Sequence, residues 1–276
     1  MNLPSCIILC SGSSIRQNLW QTPIENLPIW NAIKNKFIIS CNWGYYWCNP
    51  TVEMFSDYRF YAIEQKKLDK LPLVIGRDDS FYKNSNRNED LQLSKNTYLL
   101  QPCQKKNERD WYWGKDSWTK GFYSSQLIGL MALTFVIVIG CKKIYLLGAD
   151  WGEIDGHTHF YEDADIGKIV WKTQEKTGVG LNKLGNHNTG RYDIQRKKPN
   201  GKITIVKENH PDYWYSCYKQ EMNKGIEIYN VSLKSKITTF PKISYAQFYN
   251  EIQKESNVNQ EEIQKYIISL IKKNLS

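Results

Sequence analysis

Apolar runs bounded by turn residues recur along the chain, with helix-compatible segments between them. Cys6 to Cys10 does not alternate with polar residues, which is the pattern of a strand covered on both faces. It stops at Ser11-Gly12-Ser13-Ser14. Phe37 to Cys41 reads as a second strand and Val52 to Ser56 as a third, with shorter candidates at Leu71 to Ile75 and Tyr98 to Leu100. Leu127 to Gly140 is the most hydrophobic stretch, and its second half is β-branched. Its length and its place before the strand-like run Lys142 to Gly148 predict a buried helix, capped at Ser124-Ser125 and ended by Gly140. Pro211 starts a predicted helix to about Asn223, and Gly225 stops it. Ile226 to Asn230 is a last strand, and Asn259 opens an amphipathic helix that runs to Leu275.

Strands that alternate with helices require right-handed βαβ crossovers and a mostly parallel sheet. The expected fold class is therefore α/β: a Rossmann-like sheet flanked by helices, with a loop-rich lid insertion and a C-terminal helical tail. Residues 1–240 form one domain with lid loops at about 79–120 and 150–210, segments too long and polar for simple connections. Residues 241–276 form the helical extension.

Composition changes this picture little. A 276-residue chain with 41% hydrophobic and 24% charged residues can bury a sizeable core. The net charge of +9 and pI of about 9.0 admit an anionic partner such as nucleic acid. No long basic run supports one, and Arg196-Lys197-Lys198 is the densest cluster. The seven cysteines are odd in number and form no C-x-x-C, which favours a reducing, cytoplasmic setting. The longest apolar stretch, about 14 residues, falls short of the roughly 20 that span a membrane, and the N-terminus lacks the basic region of a signal peptide.

In open parallel sheets, ligands bind beyond the carboxyl ends of the strands, where the strand order reverses. Small, polar or acidic residues follow each predicted strand: Ser11 to Ser14, Asn42-Trp43, Asp57, and Gly148-Ala149-Asp150-Trp151. The Ser/Gly turn can offer amides and hydroxyls to a phosphate, although it is neither the dinucleotide fingerprint nor a P-loop. Gly148 to Asp163 holds two of the four histidines. One reading makes Asp150, Asp155, His157, His159 and Asp163 ligands of a divalent metal. A metal-free site using His and Tyr stands equally open. Farther on, His187 has the pKa range of a general base, and Arg191 and Tyr192 beside it suit an anion. Trp43, Trp47 and the cluster Trp111, Trp113 and Trp118 serve either stacking against sugars or bases, or core packing.

Taken in order, Ser-Gly-Ser-Ser14, Ser-Cys-Asn42, Met-Phe-Ser-Asp57, Tyr-Ser-Ser125, Ile-Tyr-Leu-Leu-Gly-Ala-Asp150, Gly-Asn-His187 and Ile-Tyr-Asn-Val-Ser-Leu-Lys-Ser235 resemble a known group. The chain is similar to the bacterial sialyltransferases that decorate lipooligosaccharide and to the motility-accessory-factor (domain of unknown function 115) proteins. Phage-encoded relatives with a Gly-x-Asp…Thr-His-Phe-Tyr segment look alike too. The resemblance spans most of residues 5–240 through short motifs. It implies a glycosyltransferase that moves a sugar, with a sialic-acid-like sugar as a candidate, from a nucleotide-sugar donor to a glycan or other hydroxyl acceptor. No cofactor is implied, and the mechanism is metal-independent and inverting.

By the same resemblance, Ser11, Gly12, Ser13, Ser14 and Asn42 hold the nucleotide, and Ser124 and Ser125 lie near donor phosphate or sugar. Asp57 stands where the group has a second Asn. Tyr161, with Tyr192, stabilises the leaving phosphate, and His187 is the general base; Asp150 and Arg191 complete the expected site. Two other readings remain. A pterin pyrophosphokinase of similar core would hold Mg²⁺ on Asp150, Asp155 and Asp163. A phage accessory protein would bind or modify DNA.

Overall fold

The computed structural model of the protein describes residues 1–56, 58–78, 92–103, 114–124, 128–157, 159–165, 193–197, 203–207 and 211–275. Seven strands form one sheet: β1 (Cys6–Leu9), β2 (Phe37–Cys41), β3 (Val52–Phe55), β4 (Val74–Arg77), β5 (Thr97–Leu100), β6 (Lys143–Leu147) and β9 (Glu227–Asn230). Their order is β5-β4-β3-β2-β1-β6-β9, and every pairing is parallel. The chain builds outward from β1 to β5, then returns to the other side of β1 with β6. The order therefore reverses between β1 and β6.

Both faces of the sheet are covered, which is why the strand sequences do not alternate. Cys6, Ile8, Ile39, Cys41 and Met54 face the buried helix α3 (Ile128–Val138) and the last helix, α5 (Gln260–Leu275). Ile7, Leu9, Ile38 and Phe55 face α1 (Pro28–Ile33), α2 (Tyr58–Leu68) and α4 (Tyr245–Ile252). The β-branched run Phe135 to Val138 is helical as expected, and Gly140 follows it with φ +104°. Burial on all sides outweighs strand propensity there, and the Thr134 and Tyr218 hydroxyls pair at 2.8 Å.

At the tail, Asn259 Oδ1 accepts from Glu262 N at 3.2 Å, the expected cap. Ile263, Ile267 and Ile271 then bury one stripe of α5, each contributing roughly 1.5–3 kcal/mol. Ahead of it, Ser244 and Gln247 form a capping box that starts α4.

Three expectations shift. The fourth strand is Val74–Arg77, not Leu71 to Ile75, because Leu71 ends the turn after α2. The helix expected from Pro211 to Asn223 is broken into Asp212–Tyr215, a 3₁₀ turn at Ser216–Tyr218, and Lys219–Met222. The segment 150–210, expected as loop, contains an antiparallel pair, β7 (Asp193–Lys197) with β8 (Ile203–Lys207). None of the seven cysteines is joined to another by a disulfide. Among the described residues no helix is long and apolar enough to cross a membrane.

Candidate functional site at the β1–β6 switch point

The loops that follow β1 and β6 are bonded to one another. Cys10 N donates to Leu147 O at 2.8 Å, and Gly12 N to Gly148 O at 2.9 Å. Ser14 N donates to Asp150 Oδ2 at 2.8 Å. Only glycine fits at position 12, since a Cβ would stand 2.3 Å from Asp150 Oδ2 and 2.4 Å from Gly148 O. Asp150 is 3% exposed. Burial pushes its carboxyl up, against the opposing pull of Ser14 and Ser232. At the end of β9, Asn230 Nδ2 donates to Ala149 O at 3.2 Å, and beyond it Ser235 Oγ donates to the same oxygen at 2.7 Å. Lys236 N reaches Asp150 O at 3.0 Å. The closing Asn-Val-Ser-Leu-Lys-Ser235 motif thus holds the Asp150 turn in place.

A third segment lies across the first loop. His159 pairs with Gly12 as an antiparallel bridge, and Phe160 N donates to Ser11 O at 3.2 Å. Ser13 Oγ donates to His157 O at 2.7 Å. Arg16 locks the crossing from below. Its Nε donates to Phe160 O and its Nη1 to Thr22 O, both at 2.7 Å, and it pairs with Asp163. A guanidinium that is 1% exposed needs such a full set of acceptors.

Aromatic rings line this crossing. Tyr161 stacks on Trp47 with centroids 6.0 Å apart and planes at 9°, and His159 stacks on Tyr161 at 5.2 Å. Burial pushes the Tyr161 phenol up while the Ser11 hydroxyl pulls it back, so it remains a neutral hydrogen-bond donor. Trp20 stacks on His157 at 3.5 Å, with the Arg16 guanidinium 4.8 Å from the Trp20 ring.

On the other flank, Leu9 pairs with Ser40, so continuing that register puts Asn42 level with Ser11. Asn42 takes a left-handed φ of +59°, and its Oδ1 is buried without a partner. Glu53, register neighbour of Ser40, is fully buried beneath this turn. Burial pushes its carboxyl well up, opposed by the Ser40 hydroxyl and the Asn42 backbone amide, so folding favours its protonated form. Ser124, 4% exposed, ends just before α3. That helix begins close to β1: a Cβ on Gly129 would be 3.2 Å from Cys10 Sγ.

The structure therefore brings Ser11, Gly12, Ser13, Ser14, Asp150 and Tyr161 together. Asn42 stands level with Ser11, and Ser124 is buried four residues before α3. Ser11, Gly12 and Asn42 are half-buried, whereas Ser13 and Ser14 are buried, with the Ser13 hydroxyl and the Ser14 amide bonded inward. Asp57, Ser125, His187, Arg191 and Tyr192, with Trp111 and Trp113, lie outside the described residues. The five-residue metal set is not assembled. Asp150 holds Ser14, Asp155 pairs with Lys234 at 2.5 Å, and Asp163 pairs with Arg16. Among the described residues no three His, Cys, Asp or Glu side chains are grouped to hold a metal ion. Trp43 and Trp118 are packing residues, edge-on to Phe60 and Phe122.

Arg16, Glu53 and Tyr245 are absent from the sequence-derived site. For Glu53 a signal existed, since a single acid inside the run Val52 to Phe55 must be buried with its strand. Nothing local marks Arg16 or Tyr245.

No protein-family model and no curated protein matches the chain. Among solved structures, the fold is shared with the Maf glycosyltransferase from Magnetospirillum magneticum AMB-1, at a TM-score of 0.52 and 12% identity. That overlap covers 99% of this chain, which spans 38% of the glycosyltransferase's length. The sialyltransferase CstII from Campylobacter jejuni, in complex with cytidine-5'-monophosphate, overlaps at a TM-score of 0.42 and 13% identity, over 88% of this chain and 86% of its own.

Proposed function

We propose that the protein is a glycosyltransferase that uses a nucleotide-sugar donor. The observation that carries this reading is the Ser11–Ser14 turn at the switch point, bonded to the Asp150 turn and crossed by the Tyr161 segment. Ligands of open parallel sheets bind at such a place. The fold shared with a Maf glycosyltransferase supports it, and so does the order of short motifs.

In this reading Ser11, Gly12 and Asn42 contact the nucleotide, while Ser13, Ser14 and Asp150 shape the turn that presents them. Asp57, Ser124, Ser125, Arg191 and Tyr192 complete the donor site. His187 removes the proton from the acceptor hydroxyl, whose oxygen attacks the anomeric carbon as the bond to the nucleotide phosphate breaks. Tyr161, kept neutral by burial, donates to the departing phosphate. The donor sugar is sialic-acid-like, the acceptor is a glycan hydroxyl, and no metal takes part.

A thermal-shift panel of CMP, UDP, GDP, ADP and ATP, each with and without Mg²⁺, tests the reading. A ligand that binds only the folded state raises its melting temperature. The expected result is stabilisation by a pyrimidine or guanosine nucleotide without metal. A shift with ADP or ATP only when Mg²⁺ is present would replace this reading with the pyrophosphokinase, and steeply salt-dependent DNA binding with no nucleotide shift would replace it with the DNA-binding one.

A further inference from the structure

Helix α4 belongs to the C-terminal extension, outside every segment the sequence nominates for chemistry, yet it abuts the turn after β1. Tyr245 and Tyr249 are four residues apart and so share one helix face, with ring centroids 6.1 Å apart. The Tyr249 hydroxyl accepts from Gln17 Nε2 at 2.8 Å. One turn earlier, the Tyr245 hydroxyl is buried against the Ser14 side chain and feels the Asp150 carboxylate; burial first, and then Asp150, push this phenol well up. Tyr245 OH, Ser14 Oγ and Asp150 Oδ1 are all buried, and none has a partner in good hydrogen-bond geometry. Three such atoms in one place demand mutual satisfaction or a bound water. The helix that carries Tyr245 is itself fixed. Ser244 and Gln247 cap it, Phe248 and Ile252 are fully buried, and Glu251 takes hydrogen bonds from Lys143 at 2.9 Å and Tyr145 at 2.6 Å.

We propose that Tyr245 and Tyr249 are positioning residues: through Ser14 with Asp150, and through Gln17, they clamp the Ser13–Gln17 turn from helix α4. A neutral phenol at position 245 supplies a proton donor to that trio from a rigid helix, while the Ser14 hydroxyl can both donate and accept. Removing it frees the turn to sample other conformations, while the apolar packing of α4 stays. The ligand-binding consequence rests on the glycosyltransferase reading, whereas the clamp itself does not.

The test uses Tyr245→Phe and Tyr249→Phe in the full chain, with Tyr229→Phe as control, because the Tyr229 hydroxyl makes its bond to Glu227 at the exposed side of the edge strand β9. Amide hydrogen exchange across residues 11–17 is expected to rise about tenfold in Tyr245→Phe and several-fold in Tyr249→Phe. Exchange in β2 and α3, and all exchange in Tyr229→Phe, should stay at wild-type values. The affinity for whichever nucleotide stabilises the wild type should fall about tenfold in Tyr245→Phe. Unchanged exchange at 11–17 in both variants overturns the clamp, as does an equal rise throughout the sheet, which would mark a general packing role. If no nucleotide binds the wild type, the functional reading fails, and the exchange measurement still decides the clamp.

Discussion

Ser14 and Asp150 are joined by a hydrogen bond of 2.8 Å from the Ser14 amide to Asp150 Oδ2, and this bond ties the end of β1 to the end of β6 where the strand order reverses. Truncating the carboxylate leaves a buried amide without an acceptor, at a cost of about 1–3 kcal/mol. Asp150→Ala should therefore lower the unfolding free energy by that amount in a urea titration. Asp150→Asn keeps an acceptor oxygen and removes a buried carboxylate, so it should lose much less. Equal losses in the two variants would show that the side chain's volume, and not the bond, is what matters.

Glu53 makes a prediction of opposite sign. Its carboxyl is pushed up by burial, so the folded protein holds a proton that the unfolded chain releases near the ordinary Glu value of about 4.3. Stability from the neutral acid is complete below that value and is lost as pH rises toward the folded-state pKa. Glu53→Gln is neutral at every pH and sits in the same space. Its melting temperature should gain on the wild type as pH rises from 5 to 8, with the two converging in acid. Parallel curves across that range would refute a buried, proton-holding Glu53.

Much of this architecture is legible in the sequence, because a parallel sheet covered on both faces writes itself as unbroken apolar runs. Cys6–Leu9, Phe37–Cys41 and Lys143–Leu147 are of this kind, and the turns that follow them are where the candidate site forms. Helices α1 and α4 are less legible. They are short, and α4 buries only Phe248 and Ile252 in full, so its apolar signal is two residues one turn apart. Arg16 and Tyr245 are invisible for another reason. Their partners, Phe160, Thr22 and Asp163 for the first and Ser14 and Asp150 for the second, are brought in by the fold. Asp150, Asp155 and Asp163 are not gathered into one cluster, on the same ground. Proximity along the chain says nothing of the separate partners each carboxylate finds in space.

Asp212 fastens the broken helix after Pro211 to the segment before α4. It accepts from Thr238 N at 2.7 Å, from Thr239 N at 2.6 Å and from Thr239 Oγ1 at 2.7 Å. Burial works to raise this carboxyl, but the hydroxyls and amides of both threonines outweigh it, and the net shift is downward. A lowered carboxyl contributes stability above the unfolded Asp value of about 3.9, and that contribution is lost as pH falls through the folded one. Asp212→Asn should therefore melt below the wild type at pH 7, with the gap closing toward pH 3. A gap of constant size over that range would mean that the ionised carboxylate confers nothing.

Gly12 is the tightest point of the candidate site. A methyl group at this position meets Asp150 Oδ2 at 2.3 Å and Gly148 O at 2.4 Å. The side-chain oxygen has some freedom to move, but the carbonyl belongs to a residue held at φ +66° and bonded to Gly12 N, so the backbone must part instead. Overpacking of this kind costs typically 1–3 kcal/mol. Here it also pulls the Ser11–Ser14 turn off the Asp150 turn. Gly12→Ala should lower the melting temperature and, under the proposed function, weaken nucleotide binding more than Asp150→Asn does. Gly140→Ala serves as the comparison. It too replaces a glycine of positive φ, at +104°, but a Cβ there meets nothing within 4 Å. That variant should lose stability through its backbone alone and keep wild-type nucleotide affinity. If the two alanine variants lose affinity alike, the close approach of the β1 and β6 turns is not what shapes the binding surface.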